Sequence, residues 1–463
     1  MVNAVAKYQK YTEYKDSGFE WVNELPAHWK AVHLKWISTI YAGGTPSKTI
    51  ESYWENGTIP WINSGAVNQG YILEPSTYIT KTAYENSSAK WIPKKALVMA
   101  LAGQGKTKGM VAQLGIDTTC NQSMGAIIPN DLDYARYLFW WITSNYQNIR
   151  NMAGGDLRDG LNLEHLGDMS CPLPNKDEIQ EISNFLDHET AKIDSLIEKQ
   201  QKLIELLKEK RQAVISNVVT KGLNPDVPMK DSGVEWLGQV PEHWDVWKFS
   251  HIAPIITCGV ASTPTYVEES EGMPFLSAQN IKNNKLSLHK FNYIPYSLHE
   301  QLTKYRRPEL GDILVTRVGA GIGEACIVDI DLEFSIYVSL THIRVKPHIA
   351  NNKFIMYFFG TDYCKFLNFE GTVTGGGVGN LNVNNVEKYK IALPSVSEQK
   401  EIVDYLDSYI DKQNKLIAKA ESAIQLMQER RTALISSAVT GKIDVRHHAS
   451  RPSGNAKIQV EGI

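Results

Sequence analysis

"LPNKDEIQEISNFLDHETAKIDSLIEKQQKLIELLKEKRQAVISNVVTKG" (residues 173–222) returns 220 residues later as "LPSVSEQKEIVDYLDSYIDKQNKLIAKAESAIQLMQERRTALISSAVTGK" (393–442), with twenty of fifty positions identical. Upstream of each copy stands a shorter repeat. "KDSGFEWVNELPAHWK" (15–30) recurs as "KDSGVEWLGQVPEHWD" (230–245), with nine of sixteen positions identical. Self-similarity at a fixed offset is the mark of a duplicated structural unit. The chain is therefore one plan written twice: a framing segment, a long insert and a helical segment.

Neither Pro nor Gly interrupts residues 176–220, and Gly222 and Gly441 supply C-terminal stops. Ser395-x-x-Glu398 is a capping-box pattern and Asn175-x-x-Glu178 resembles one. Apolar residues three or four apart mark a packing stripe: Ile193, Leu196, Leu203, Leu207 and Val214, then Leu416, Ile424, Met427 and Leu434, with Ile197 and Ile204 widening it. A stripe on a helix of roughly 30–40 residues needs a partner about 50 Å long. The two matched helices supply it, so the spacing predicts an antiparallel coiled coil with a Lys- and Glu-rich outer face.

The inserts, 31–172 and 246–392, are 142 and 147 residues long yet share little beyond a few glycines and prolines. Both read as strand-rich, with β-branched and aromatic runs such as "KALVMALA" and "GDILVTRVG" punctuated by Gly, Pro and Asn. Short helices are expected at 132–152 and 353–367. A duplicated enzyme would repeat its catalytic residues, whereas a duplicated scaffold carrying two different readers keeps its frame and varies its inserts. The framing Trp21, Trp29, Trp236 and Trp244, with His28 and His243, recur in both halves and so read as structural. The fold class is α+β with an internal pseudo-two-fold duplication.

Composition narrows the classes further. The chain has 463 residues, 43% hydrophobic and 21% charged, with a net charge of −3, so no global basic field steers it to nucleic acid. No apolar run approaches the roughly 18–20 residues of a membrane span, and "MVNAVAKYQKYTEYKDSG" lacks the apolar core of a signal peptide. The five cysteines (Cys120, Cys171, Cys258, Cys326, Cys364) are scattered without a C-x-x-C pair, which argues against disulfides or zinc and for the cytoplasm. No amino-methyltransferase N-P-P-[FY], no H-E-x-x-H and no G-x-S-x-G is present. We expect no catalytic residue and no metal site.

"AGGTPSKTIESYWENGTIPWINSGAV" (42–67), "GDILVTRVGAGIGEA" (311–325), "GTVTGGGVGNLNVNNVEKYKIALPSVSEQKEI" (371–402) and the helix ends "RQAVISNVVTKG" and "RTALISSAVTGK" carry a family resemblance. With the duplicated plan, they resemble the specificity subunit of type I restriction–modification enzymes over nearly the whole chain. The resemblance implies a first target recognition domain over 1–172, a helical spacer over 173–222, a second target recognition domain over 223–392, a second helical region over 393–445 and a flexible tail over 446–463. It also implies a non-catalytic subunit that reads one half of a bipartite site in double-stranded DNA with each domain. Two methyltransferase (modification) subunits are implied as partners, together with restriction subunits and no membrane. The chain itself would bind no cofactor: S-adenosylmethionine would sit in the methyltransferases and ATP with Mg in the restriction subunits. A regulatory or anti-restriction DNA-binding protein of the same fold is the alternative.

Base readers sit on loops and carry Arg, Lys, Asn, Gln or Ser. The first insert offers Lys48, Asn63, Ser64, Asn68, Gln69, Gln104, Lys106, Lys108 and Arg158, and the second Gln279, Asn280, Lys282, Lys304, Arg306, Arg307 and Arg317. One stretch invites another reading. "ALAGQGKTKG" (100–109) ends like a P-loop, which would make the chain a nucleotide hydrolase. A P-loop needs a helix directly after its lysine, and "KGMVAQLGI" (108–116) reads instead as a strand. In the second insert Ile322 stands opposite Lys106, so the duplication did not keep the lysine.

Overall fold

The computed structural model describes residues 8–103, 105–152, 160–319, 321–375, 378–446 and 448. The chain forms two compact units. The first runs to Gln200 and resumes at Ser422, and the second spans Gln201–Glu421. The first long helix, Lys176–Lys221, and the second, Val396–Val439, each give their N-terminal part to one unit and their C-terminal part to the other.

In the first unit a five-stranded sheet runs in the order Ser38–Ala42, Met124–Pro129, Leu97–Ala100, Val111–Leu114, Tyr71–Ile72. A second sheet centres on Ile59–Ile62, with Thr119–Cys120 parallel on one side and Thr77–Ile79 antiparallel on the other. The second unit repeats this plan without a counterpart of the Tyr71–Ile72 edge strand in its larger sheet. Ile255–Cys258, Leu340–Arg344, Ile313–Thr316 and Ala325–Ile327 form one sheet. Gly272–Leu276 centres the other, parallel to Ser335–Ile336 and antiparallel to Asn292–Pro295. Two inserts with little common sequence thus adopt one strand topology.

"LVMA" (97–100) shows why such a run becomes a central strand. Leu97 and Met99 pack into one core with the helix Ala135–Ser144, and Val98 and Ala100 pack into the core on the opposite face. Ile313 and Val315 divide from Leu314 in the same way. A strand buried on both faces needs a continuous apolar run rather than an alternating one. The expected helices appear as Ala135–Ser144 with Tyr146–Asn151, and as Asn352–Phe359 with Asp362–Glu370.

Each insert closes on itself. The strand entering it, Lys30–His33 or Asp245–Lys248, pairs antiparallel with the strand leaving it, Ser170–Leu173 or Lys390–Leu393. The framing segments form hairpins, Tyr14–Phe19 with Val22–Pro26 and Met229–Asp231 with Gln239–Pro241. Trp29 and Trp244 are wholly buried. Gly441 ends the second long helix at φ +69°, where a Cβ would lie 2.4 Å from Pro26, so only glycine fits.

Along the long helices, burial recurs in alternating steps of four and three. It takes in Ile193, Ile197, Ile204, Leu207 and Val214, and 220 residues later Gln413, Ile417, Ile424, Met427 and Leu434. That is heptad spacing, and it corrects the expected stripe. Leu196, Leu203 and Leu416 stand 50%, 43% and 48% exposed on the outer face, because they lie one residue off the seam that Ile197, Ile204 and Ile417 occupy. In the first unit Ile193 and Ile197 pack in one core with Met427 and Leu434. In the second, Val214 and Val218 pack with Leu406 and Ile410.

The segment expected to be flexible from 446 begins ordered. Arg446 bonds both carboxylate oxygens of Asp444 and stacks over Tyr11, and His448 lies against Tyr8. Among the described residues, no helix is long and apolar enough to cross a membrane and no metal-holding cluster of His, Cys, Asp or Glu occurs.

Candidate nucleic-acid interface

The glycine-rich stretch 100–109 is a turn between antiparallel strands, Leu97–Ala100 and Val111–Leu114. A strand rather than a helix follows Thr107, so no row of helix N-terminal amides is aimed at a phosphate, and the P-loop reading falls. Gly105 and Gly109, at φ +67° and +83°, let the backbone reverse. Two side chains of the helix Tyr146–Asn151 brace the turn. Arg150 donates from Nη1 to the Gly105 carbonyl at 2.8 Å, and the Tyr146 hydroxyl donates to the Lys106 carbonyl at 2.5 Å. Lys106 stays exposed at the tip.

The matching turn of the second insert joins Ile313–Thr316 to Ala325–Ile327 and reverses at Gly319 and Gly323, φ +92° and +91°. Its brace comes from within. Arg317 donates from Nε to the Leu381 carbonyl and from Nη2 to Asn380 Oδ1, both at 2.9 Å.

Three expected base readers are therefore corrected. Arg317 is 8% exposed with its guanidinium committed to the strand Val378–Leu381. Asn280, 1% exposed, caps the short helix Ala278–Asn280, and its amide donates to the carbonyls of Ser287 and Lys290. Lys108 is 5% exposed. A donor buried and spent inside the fold cannot reach a base edge. Gln104 and Arg158 lie outside the described residues.

The others lie on loops, on the short helices Ser64–Gln69 and Ala278–Asn280, or, for Lys282, on the short strand Ile281–Lys282. In the first insert Lys48, Asn68 and Gln69 are exposed and Ser64 half-buried. Asn63 is exposed but spends its Oδ1 capping the short helix Ser64–Gln69, and Asn68 donates to the Gly65 carbonyl. In the second insert Gln279 and Lys282 flank a tight hairpin whose Asn283 and Asn284 take φ +54° and +59°. Both central residues of a type I′ hairpin turn take positive φ, which Asn tolerates.

The "KYRR" loop is held rather than loose. Arg306 donates to Thr257 Oγ1 at 2.5 Å, Arg307 pairs with Glu333 at 3.0 Å, and Arg344 donates to the Arg307 carbonyl. Lys304 and Tyr305 project from it, the ammonium 5.2 Å from the ring centre and the ring 83% exposed. An exposed aromatic beside a cation can contact both bases and phosphates. Tyr305 was not among the residues expected from sequence, because an exposed tyrosine has no pattern of its own.

Beneath this loop lies a buried ionic cluster. Asp312 accepts from His342 Nε2 at 2.7 Å and from Arg344 at 2.9 and 2.8 Å. Burial pushes its carboxyl up, but the bonds from His342 and Arg344 outweigh that and hold it at about 2.

The framing segments meet the long helices through one repeated contact. Glu178, 1% exposed, accepts from the Tyr11 hydroxyl at 2.6 Å and contacts His28 Nε2 at 2.9 Å. Glu398 contacts His243 Nε2 and accepts from Trp244 Nε1, both at 3.0 Å. Their own backbone amides are capped by Asn175 and Ser395. The glutamates that suggested capping boxes thus tie the frame to the helix.

Comparison with known proteins agrees with this architecture. The type I restriction enzyme EcoR124I/EcoR124II specificity subunit of Escherichia coli is 31% identical over 202 residues, 43% of this chain and 49% of that protein, so the alignment spans about half of that relative. The MjaVIII specificity subunit of Methanocaldococcus jannaschii is 21% identical over 444 residues, 94% of this chain and 98% of that protein. A chain of a solved type I restriction–modification system, described in terms of complex assembly and conformational transition, superposes with a TM-score of 0.66. It is 17% identical, and the match covers 90% of this chain and 99% of that one, a likeness of fold. The model of the type I restriction modification DNA specificity domain matches residues 26–206 and 241–426, one stretch for each copy of the plan, and the chain belongs to that family.

Proposed function

We propose that the chain is the DNA-recognition subunit of a type I restriction–modification complex, reading a bipartite double-stranded site with one insert per half and carrying out no catalysis itself. The observation that carries this reading is one strand topology built twice with unlike exposed side chains: Lys48, Gln69 and Lys106 in one copy, Gln279, Lys282 and Lys304 in the other. A shared scaffold with different loop residues suits two different half-sites. The segments act as 1–172, 173–222, 223–392 and 393–445, with residues beyond as a tail.

The helices form an antiparallel coiled coil that fixes the gap between half-sites. Support comes from the register. Asp194 lies opposite Arg431 in the first unit, and Arg211, seventeen residues on, lies opposite Asn414, seventeen residues back, in the second. Two methyltransferase subunits dock on the outer face. Leu196 and Leu426 are exposed in the first unit, and Leu416 and Leu206, related to them by the 220-residue offset, are exposed in the second. Exposed apolar patches mark interaction sites, and two equal patches suit two copies of one partner. S-adenosylmethionine belongs to those partners and ATP with Mg to restriction subunits, in the cytoplasm.

The test is to replace residues 31–172 with the insert of another such subunit and sequence the host methylome. One half of the methylated site is expected to change while the other half and the spacer stay. Change in both halves would sink the modular reading. Purification of the chain as a lone DNA-binding dimer, without methyltransferase subunits, would favour the regulatory alternative.

A further inference from the structure

The duplication makes each unit a control for the other, and one place breaks the likeness. In the first unit, the end of the second long helix and the segment after it bury Phe185, Leu434, Ala438, Ile443 and Val445, none more than 5% exposed. Covering them are Tyr8, whose ring meets Phe185 edge-on at 5.5 Å, and His448, 5.1 Å from Tyr8. The Arg430 guanidinium lies beside the Tyr8 hydroxyl.

In the second unit the equivalent positions are Tyr405, Val214, Val218, Leu223 and Pro225. With Lys210, Ala213, Asn217 and Gly222 they line a groove of about 510 Å³. Tyr405 is 43% and Leu223 41% exposed, whereas Phe185 and Ile443 are 5% and 0% exposed. Lys210 stands at the rim where the first unit has Arg430. An apolar set kept through the duplication, with a cation kept beside it, is a built aromatic site whose occupant in this unit comes from elsewhere.

We infer that the second-unit groove receives one aromatic side chain, a tyrosine or phenylalanine on an extended segment of a methyltransferase partner. It docks as Tyr8 does in the first unit, with Lys210 beside the phenol oxygen or a neighbouring carboxylate. Because Tyr8 fills the first-unit groove, the site is used once per chain, and the two partner subunits are held unequally. The identity of the partner rests on the function proposed above, but the groove's affinity for an aromatic segment does not.

The peptide NAVAKYQKYTEY, the sequence of residues 3–14, serves as the probe, labelled with a fluorophore and titrated with the full chain by anisotropy. One saturable site is expected. Affinity should drop at least tenfold with Leu223→Arg or Ala213→Arg, both exposed positions whose folding is checked by circular dichroism. It should drop as far when alanine replaces the peptide's copy of Tyr8. A chain carrying Tyr8→Ala should show a second site. No binding to the intact chain, or binding indifferent to both groove variants, overturns the site. Tenfold tighter binding after deletion of 449–463 assigns the groove to the chain's own tail and overturns the partner. Finally, benzophenone placed at position 223 in the complex assembled with methyltransferase subunits should cross-link one of those subunits. Absence of that product overturns the partner assignment while leaving the peptide result to stand.

Discussion

Arg431 holds Asp194 through both carboxylate oxygens, Nε to Oδ1 at 2.8 Å and Nη2 to Oδ2 at 3.2 Å, across 237 residues of sequence. Its counterpart 220 residues earlier, Arg211, donates instead to Asn414 at 2.9 Å, where the duplication has an amide in place of the carboxylate. One half of the helical pair is thus joined by an ion pair and the other by a charge–amide bond.

Asn414→Asp should therefore restore the missing pair. The site is partly exposed, so the gain is small, about 0.5 kcal/mol, or roughly 1–2 °C in the melting of a unit this size. Thermal unfolding at low and high salt checks it: the gain should appear at low salt and fade at high salt. A gain that ignored salt would contradict an ionic origin.

The second unit should be sensitive to acid through Asp312. Its carboxyl is held at about 2 against an ordinary 3.8. A group with a depressed folded-state value contributes stability that is present above its unfolded value and is lost as pH falls toward the folded one. The contribution, about 2 kcal/mol, should disappear between about pH 4 and pH 2. Asp312→Asn should remove that acid step and cost about 3–5 kcal/mol at neutral pH, because Arg344 and His342 lose their buried partner. Urea unfolding followed across this pH window measures both effects.

The two framing glutamates should differ in weight. Glu178→Ala leaves the buried Tyr11 hydroxyl without its acceptor and should cost about 2–3 kcal/mol. Glu398, with 27% of its side chain exposed, should cost about 1 kcal/mol, since water can replace it. Equal losses in denaturant titrations would mean that burial does not set the difference.

For DNA, Lys106→Ala and Arg150→Ala should separate contact from support. Loss of Lys106, exposed at the tip of its turn, should weaken binding and lower the salt slope by about 1. Arg150, which holds that turn through the Gly105 carbonyl, should reduce discrimination at one half-site while leaving the salt slope nearly unchanged. Asn280→Ala, at a buried cap, should lower stability without altering which sequence is chosen. Anisotropy with specific and scrambled duplexes over a salt series distinguishes the three.

Much of the architecture was legible beforehand because repetition and periodicity are local. The helix limits, the strand–turn–strand reading of 97–114 and the structural role of Trp29 and Trp244 follow from spacing and from identity between copies. The recognition residues were less legible. Asn280, Arg317 and Lys108 have side-chain types that suit base contact, yet burial is set by what folds over them, and Arg317 is claimed by a strand residue 64 positions away. Leu196, Leu203 and Leu416 looked like seam residues because spacings of three and four fit more than one face of a helix. Packing within each unit, around Ile197 in the first and around Ile204 and Ile417 in the second, chose the face.

Sequence by itself determined that one plan is used twice, that long helices connect strand-rich inserts, and that frame and readers are separate. Those properties reside in nearest-neighbour periodicity and in comparison of the chain with itself. Tertiary structure alone decided that divergent inserts share a topology and which polar side chains stay exposed. It also decided that Tyr8 and His448 close one groove while Tyr405 and Leu223 leave its twin open. Each of these depends on contacts between residues far apart in the chain, where burial is a property of the assembled surface and not of the residue.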